Sequence, residues 1–272
     1  MPFKPPTGFR SVPVTAQPTI STGGGEHVDI RLEHASLHWQ QHCVFSDLNL
    51  DLPSGLWTSI LGQSGVGKSS LLQLLCGIAD DAEIGGTLTC SDGKPLSGRV
   101  AWMAQDDLLL PWLNVLDNVL LGARLSQKRN VRPEQKELAH YLLSQVGLGD
   151  KADVRPSDLS GGQRQRVALA RTLFQDRPLV CMDEPFSALD AINRLRLQDL
   201  AASLLSERTV LMITHDPLEA LRLSDRILVL QGQPARLSNP IEPQGDTPRS
   251  VRDEALLHLQ GELLTLLAQE CA

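Results

Sequence analysis

One glycine-rich stretch constrains the fold of this chain more than any other: Gly62, Gln63, Ser64, Gly65, Val66, Gly67, Lys68 and Ser69. It follows an apolar, partly β-branched run at 56–61, which predicts a buried parallel strand, and it precedes an apolar run at 69–75, which predicts a helix. Glycines tolerate positive φ and carry no Cβ, so successive backbone N–H groups can turn inward around an anion. The pattern therefore predicts a phosphate-binding loop between a strand and a helix.

The parts of this loop suit a nucleoside triphosphate. The start of the helix offers unpaired N–H groups and partial positive charge to the β-phosphate. Lys68 is placed to reach the β and γ oxygens, and the Ser69 hydroxyl is placed to ligate Mg²⁺, with Ser70 next to it. The alternative is a glycine-rich turn that happens to end in Lys-Ser, and it leaves the flanking strand and helix unexplained.

Composition bounds the class of protein. The 272 residues, 42% of them hydrophobic, suffice for one large domain or two small ones with a real core. A net charge of −7 argues against a broad nucleic-acid surface. The five cysteines are widely spaced and form no C-x-x-C pair, which favours reduced thiols in a cytoplasmic protein over a disulfide framework or a zinc site.

Membrane insertion and secretion are not expected from the sequence. No apolar run approaches the roughly 18 residues that a bilayer span needs. The N-terminus carries prolines where a signal peptide would need an apolar helix. A protein of this kind would serve a membrane only through a partner.

The N-terminal part predicts a leader followed by an antiparallel sheet. Residues 1–25 are rich in Pro, Thr, Ser and Gly and predict a disordered leader. Apolar residues alternate at 28–32 and nearly so at 44–52, which suits a half-buried antiparallel sheet. Trp39 lies in this region and could stack on a purine base or fill the core of the sheet.

Three histidines in the same region are spaced four apart: His34, His38 and His42. On a helix this spacing would make a metal-binding face. The surrounding sequence predicts strands and turns, where the spacing has no special geometry. Solvated or hydrogen-bonded histidines are therefore favoured over a metal site.

Beyond the first helix the pattern changes again. Residues 85–98 predict a β-turn-β excursion around an Asp-Gly turn, and residues 99–103 predict another apolar strand. A helix is predicted from Pro133, at a first-turn position, to near Gly147. Strand patterning is absent from about 106 to 158, which predicts an inserted helical subdomain.

A second motif precedes a helical run at 164–173 and consists of Leu159, Ser160, Gly161, Gly162 and Gln163. A serine and two glycines at a helix N-terminus form another anion-binding site. Two such helix starts in one chain suggest a nucleotide held between two copies.

Together these motifs resemble those of the nucleotide-binding subunits of ATP-binding cassette (ABC) transporters, over roughly residues 27–235. The resemblance implies an α/β fold with a RecA-like P-loop NTPase core, an antiparallel β subdomain and an inserted α-helical subdomain at about 106–158. The ATPase domain would span residues 26–236. Residues 237–272 would form a C-terminal extension, in which apolar residues from Val251 to Leu267 share one helical face. That helix would pack on the domain or dock a partner.

The resemblance also assigns catalytic roles. Residues 179–184 resemble the Walker B strand, where Asp183 would hold Mg²⁺ through water and Glu184 would be the general base for the attacking water. Gln105 resembles the Q-loop glutamine, which senses Mg²⁺ and nucleotide. His215 resembles the switch histidine that contacts the γ-phosphate. Taken singly, the carboxylate pair could be a strand-end turn and the histidine a core residue.

The implied cofactors are ATP and Mg²⁺. Ser187 to Asp190 resemble the D-loop at a dimer interface, and Trp39 stands where the family places its adenine-stacking aromatic. Residues of two copies would enclose each ATP in a homodimer. The implied nucleotide-binding residues are Trp39, Gly62, Gln63, Ser64, Gly65, Val66, Gly67, Lys68, Ser69, Ser70, Ser160, Gly161, Gly162, Gln163 and Asp190.

The resemblance implies partners as well. An integral membrane permease would hold the subunit at the cytoplasmic face of the inner membrane, and a solute-binding protein would act indirectly; no nucleic acid is implied. The stretch 108–119 resembles importers of the nitrate, sulfonate and taurine group and those proposed for the pyrimidine precursor of thiamine. An exporter or lipoprotein-release ATPase, or a soluble cassette ATPase without transport, is the alternative. Gln63 departs from the Pro or Asn of many relatives.

Overall fold

The structure is a computed structural model that describes residues 28–126 and 131–268. The strands are β1 (Ile30–Trp39), β2 (His42–Leu52), β3 (Trp57–Leu61), β4 (Glu83–Cys90), β5 (Val100–Met103), β6 (Leu179–Asp183), β7 (Thr209–Ile213), β8 (Arg226–Gln231) and β9 (Arg236–Leu237). The helices are α1 (Lys68–Cys76), α2 (Val115–Val119), α3 (Leu121–Ser126), α4 (Pro133–Gln145), α5 (Gly161–Phe174), α6 (Ala191–Leu204), α7 (Pro217–Leu223) and α8 (Glu254–Ala268). The predicted leader lies outside the described residues.

The strands form two sheets of different kinds. Strands β2, β1 and β4 make an antiparallel sheet in that order. Its alternating sequence buries one face, with Ile30 and Leu32 in the core and Arg31 between them exposed. The second sheet has the order β5-β6-β7-β3-β8-β9, parallel except for β9. The predicted α/β class is confirmed.

The parallel sheet places the candidate site at one edge. Strands β3, β6 and β7 are buried along their whole length, as apolar runs covered on both faces should be. Because the strands are parallel, their carboxyl ends meet, and the segments that follow them lie side by side. The phosphate loop follows β3, Glu184 follows β6, Thr214 and His215 follow β7, and Gln105 follows β5.

One strand prediction is wrong. The excursion at 85–98 has its first strand in β4 and its turn, where the Gly93 N–H donates to the Cys90 carbonyl at 2.9 Å, but residues 94–98 form no strand. Pro95 has no N–H to give to a ladder, which disfavours a strand there. The chain instead crosses from the antiparallel sheet to β5, which pairs with β6.

Helices α2, α3 and α4 lie between β5 and α5 in the chain. Helix α4 begins at Pro133, as predicted, and Arg132 caps it through a backbone N–H that donates to Gln135 Oε1 at 3.1 Å. The chain then turns at Gly147, whose φ is 72°. Apolar side chains of α2 and α4 share a core with α5 and with the sheet, including Val119, Leu143 and Val167.

Helix α8 packs on α7 and β8. Leu256 and Leu263 are buried against Leu221 and Ile227 in a separate apolar cluster. This is the packed helix expected in the C-terminal residues, and it begins after Val251. Within the described ranges, no helix has both the length and the hydropathy to cross a bilayer.

Candidate functional site

The phosphate loop has the backbone geometry that its glycines predict. Gly65 and Gly67 have φ values of +83° and +108°, which L side chains rarely adopt. A Cβ on Gly62 would lie 2.5 Å from the Leu230 carbonyl oxygen, and one on Gly67 would lie 2.5 Å from Val44 Cγ1. The loop is therefore wedged between β8 and the start of β2, so at these positions only glycine fits.

Lys68 lies over the loop. Its Nζ donates to the carbonyl oxygens of Gly62 and Gln63, both at 2.8 Å. Burial lowers the pKa of the ammonium, and the nearby carboxylates of Glu184 and Asp183 oppose that shift. A cation held this way, in a low-dielectric site, can bind phosphate oxygens strongly.

Asp183 supplies an oxygen that fits a hard cation. The residue is 5% exposed, and its Oδ1 has no hydrogen-bond partner among the described residues. Burial raises the pKa of the carboxyl group, a hydrogen bond with Ser69 lowers it, Glu184 raises it and Lys68 lowers it. Mg²⁺ takes oxygen ligands from carboxylates and hydroxyls, so an unpartnered buried carboxylate oxygen beside Ser69 fits this ion.

Glu184 and His215 face each other at the same edge. His215 Nδ1 lies 3.0 Å from Glu184 Oε1, and the Glu184 side chain is the more buried of the two. Glu184 has a φ of 47°. Its N–H donates to the Ile213 carbonyl at 2.9 Å, and its carbonyl accepts from Gln165 Nε2 at 3.1 Å. Residues held in such a conformation cluster at functional sites, where the surroundings impose the strain.

Gln105 lies at the same end of the sheet as this group, because β5 pairs in register with β6. Met103 pairs with Met182 in the neighbouring strand, so Gln105 and Glu184 leave the sheet at the same level. The Gln105 side chain is exposed. The structure thus brings Lys68, Asp183, Glu184, His215 and Gln105 to one edge of one sheet.

Trp39 is the residue predicted either to stack on a purine base or to fill the core of the sheet. It is partly exposed, and it packs against the core beneath the antiparallel sheet. It pairs with His42 at the end of β1, close in the chain to Val44, which touches the phosphate loop. Its position suits a base bound beside that loop. The nearby His34 Nδ1 lies 2.6 Å from Asp47 Oδ1, and the described residues contain no cluster of three His, Cys, Asp or Glu side chains that could hold a metal ion.

The second motif caps α5. Ser160 Oγ accepts from the Gln163 N–H at 3.3 Å, and Gln163 Oε1 accepts from the Ser160 N–H at 2.9 Å. This capping box leaves Ser160 and Gly161 exposed. Gly162 packs close to the carbonyl of Ala188 in the predicted D-loop. The motif therefore presents its helix N-terminus to the outside of the chain.

Asp190 caps α6. Its carboxylate accepts from the Asn193 N–H at 3.1 Å and from Asn193 Nδ2 at 2.6 Å, and these hydrogen bonds lower its pKa. Arg194 was not predicted. It donates to the Leu189 carbonyl at 3.2 Å, and its NH1 lies 3.5 Å from Asp216 Oδ2. No motif marks it, because the fold brings Asp216 to it from 22 positions away.

Glu219 was also not predicted. It is 5% exposed, lines the same pocket as Glu184 and His215, and accepts from Gln198 Nε2 at 3.0 Å. Burial raises its pKa, and a hydrogen bond with Thr214 lowers it. His215 precedes Asp216, the cap of α7, and Glu219 lies in the first turn, so no helical spacing linked the two residues in the sequence.

Comparisons with known proteins agree with this geometry. The family model described as ABC transporter matches residues 45–187. An uncharacterized ABC transporter ATP-binding protein of Haemophilus influenzae is 46% identical over 89% of this chain and 99% of its own length. An aliphatic sulfonates import ATP-binding protein, SsuB 2, of Pseudomonas syringae is 38% identical over 89% of this chain and 98% of its own length.

Solved structures give the same result. A dimeric ATP-binding cassette in a post-hydrolysis state, bound to ADP and Pi, superposes with a TM-score of 0.70 and 26% identity, over 80% of this chain and 100% of that chain. An inward-facing, metal-chelate-type ABC transporter gives a TM-score of 0.64 and 28% identity, over 78% of this chain and 83% of that chain.

Proposed function

This chain belongs to the ABC transporter family and is an ATP-binding subunit with ATPase activity, and from that premise we propose that it drives an importer of aliphatic sulfonates or related small organic anions. The family and the cassette fold predicted from the sequence are confirmed. Relatives named aliphatic sulfonates import ATP-binding proteins, at 38% to 47% identity, support the choice of a sulfonate as the solute. The 108–119 stretch resembles importers of the nitrate, sulfonate and taurine group and of the thiamine precursor, so it favours import without selecting the sulfonate.

The proposed chemistry follows from the edge of the parallel sheet. Lys68 and the loop N–H groups hold the β- and γ-phosphates, and Trp39 stacks on the adenine. Ser69 and Asp183 would hold Mg²⁺, with Gln105 near it, and the ion would neutralise phosphate charge. Glu184 accepts the proton of the attacking water. His215, 3.0 Å from Glu184, orients that carboxylate and lies where it can reach the γ-phosphate.

We place the second motif on a partner. Ser160 and Gly161 are exposed at a helix N-terminus, so Ser160 to Gln163 of a second copy can close over the nucleotide of the first. One similar cassette is dimeric in two solved structures. ATP binding would bring the copies together, and loss of the γ-phosphate would release them. Asp190 would lie at that interface.

The proposed assembly includes a membrane permease, which would hold the subunit at the cytoplasmic face of the inner membrane. A solute-binding protein would select the solute. The observation that carries the proposal is the convergence of Lys68, Asp183, Glu184 and His215 at one sheet edge, combined with the sulfonate-import relatives.

The solute can be tested directly. The complex of this chain with its permease is reconstituted in vesicles together with the solute-binding protein encoded beside it. We expect an alkanesulfonate or taurine to stimulate ATP hydrolysis in this complex. Stimulation by nitrate alone, or by a thiamine-type pyrimidine alone, would reassign the solute. Stimulation by none of them would contradict the import proposal.

A further inference from the structure

The segment that follows Gln105 is fastened to α5 by two arginines. Arg164 Nε donates to Asp107 Oδ2 at 2.8 Å. Arg171, two turns further along α5, donates to the carbonyl oxygens of Leu108 at 2.8 Å and Asp107 at 2.7 Å. These are charge-assisted hydrogen bonds between partly buried groups, which are stronger than bonds between neutral partners.

The backbone at this point is strained. Leu108 has a φ of 45°, in the left-handed region, and its side chain is 52% exposed. A leucine adopts this conformation only where the surroundings impose it. Arg171 binds the carbonyl oxygen of Asp107, just before the strained residue, and the carbonyl oxygen of Leu108 itself. Arg171 therefore helps to fix the path of the segment, together with Asp107 Oδ1, which accepts from the Leu109 N–H at 3.1 Å, and Asn118 Oδ1, which accepts from the Leu110 N–H at 2.7 Å.

The other end of the same helix carries the second motif. Arg164 NH1 donates to the Leu159 carbonyl at 2.9 Å, while its Nε binds Asp107. Leu159 immediately precedes Ser160, the cap of α5. One guanidinium thus touches both the segment after Gln105 and the residue before Ser160.

We propose that Asp107, Arg164 and Arg171 form a clamp that couples the chain's own nucleotide site, through Gln105, to the Ser160 motif that engages the nucleotide of the second copy. The inference rests on the proposed sandwich dimer. These are positioning residues: they do not touch nucleotide, but they fix the position of Gln105 relative to Ser160. Coupling of this kind is reciprocal, so engagement at one site of the dimer stabilises engagement at the other.

The test uses the full chain carrying Glu184→Gln, which is expected to bind ATP without turning it over. Two quantities are measured for this parent and for the same protein with Arg171→Ala or Asp107→Asn: the affinity of the single chain for a fluorescent ATP, and the ATP-driven dimerisation constant from sedimentation. We expect unchanged nucleotide affinity and dimerisation weakened by about tenfold or more, the scale of losing charged hydrogen bonds.

Arg99→Ala is the matched control. Its guanidinium is 15% exposed and binds Asp92 at 2.7 Å, so its loss removes a similar ion pair on the antiparallel side of the chain. Dimerisation of this control should equal that of the parent. Arg171→Lys should rescue only part of the loss, because an ammonium lacks the planar fork that spans two carbonyl groups.

A double-mutant cycle tests the clamp itself. Asp107→Ala and Arg164→Ala together should weaken dimerisation less than the sum of the single changes, since both remove one contact. Clamp variants that dimerise as the parent does, additive single changes, or an equal loss in Arg99→Ala would each overturn the clamp. A parent that binds ATP but never dimerises contradicts the sandwich proposal, and the clamp with it.

Discussion

At the scale of single residues, the site concentrates strain and uncompensated charge. Glu184 has a left-handed backbone, and the buried Asp183 has one carboxylate oxygen without a partner among the described residues. Both features reduce stability, and both are explained if a triphosphate and a cation bind there. The residues that bind nucleotide and react would thus be residues that lower the stability of the fold.

Glu184 is expected to be the general base. Glu184→Gln should retain ATP affinity and lower ATP turnover by about a hundredfold or more, the usual scale for losing proton transfer. The rate is measured on the subunit assembled with its permease. Glu207→Gln, on an exposed carboxylate outside the site, serves as the control and should leave turnover unchanged. Near-normal turnover in Glu184→Gln would remove the residue from this role.

Lys68 is expected to act in binding. Lys68→Ala removes the cation that lies over the loop carbonyls, so ATP affinity itself should fall, by about tenfold or more. Titration with a fluorescent ATP measures this directly. An unchanged dissociation constant would show that the loop does not bind the phosphates in the way that its geometry indicates.

The Asp183 carboxylate should lower the stability of the nucleotide-free chain at neutral pH while it serves the binding of Mg²⁺. Its pKa is raised by folding, so the folded chain keeps the proton to higher pH than the unfolded chain does. The stability contributed by this group is therefore present at pH below its unfolded value, about 4, and is lost as pH rises through the folded pKa.

Asp183→Asn should then stabilise the nucleotide-free chain at neutral pH by about 1 kcal/mol or more, because the buried carboxylate is removed. The gain should shrink as pH falls toward 4. Thermal unfolding from pH 4 to 8 measures both trends. The same variant should lose the dependence of ATP binding on Mg²⁺. Equal stability of the two proteins at every pH would contradict a buried Asp183 carboxyl group whose pKa is raised by folding.

At the scale of elements, short sequence patterns correctly predicted the features that depend only on neighbouring residues. The phosphate loop, the start of α4 and the buried strands follow from glycines, a proline and apolar runs that act within a few residues. The turn at 92–93 exists, but the strand predicted after it at 94–98 does not. Which segments pair as strands is decided by the whole sheet. Arg164 and Arg171 gave no signal, because their partners lie 57 and 64 positions away in the sequence.

Helix α8 offers a matched pair of leucines. Leu263 is buried at 1% exposure, whereas its neighbour Leu264 is 50% exposed. Leu263→Ala should lower the free energy of unfolding by about 2 to 5 kcal/mol, and Leu264→Ala should change it by about 0.5 kcal/mol or less. Urea unfolding of both variants measures the difference. Equal losses would mean that α8 is not packed on α7 and β8 as the structure has it.

At the scale of the whole molecule, the chain carries two separate groups of residues that we propose to be the halves of a nucleotide site. One half is the sheet edge with Lys68, Asp183, Glu184 and His215, and the other is the exposed helix start at Ser160. Separate motifs in the sequence predicted both halves. The two helix starts suggested a nucleotide held between two copies, but which residues meet there came only from the resemblance, because an interface between copies leaves no periodic pattern in one chain.

The central claim is that ATP joins two copies of this chain through these halves. The most direct measurement is the mass in solution of the Glu184→Gln protein, with and without saturating Mg-ATP, alone and assembled with its permease. We expect the isolated protein to have a single-chain mass without nucleotide and a two-chain mass with Mg-ATP. In the assembly with the permease we expect the paired subunits to close when nucleotide binds. A protein that binds Mg-ATP, stays a single chain and shows no closure on its permease would contradict it.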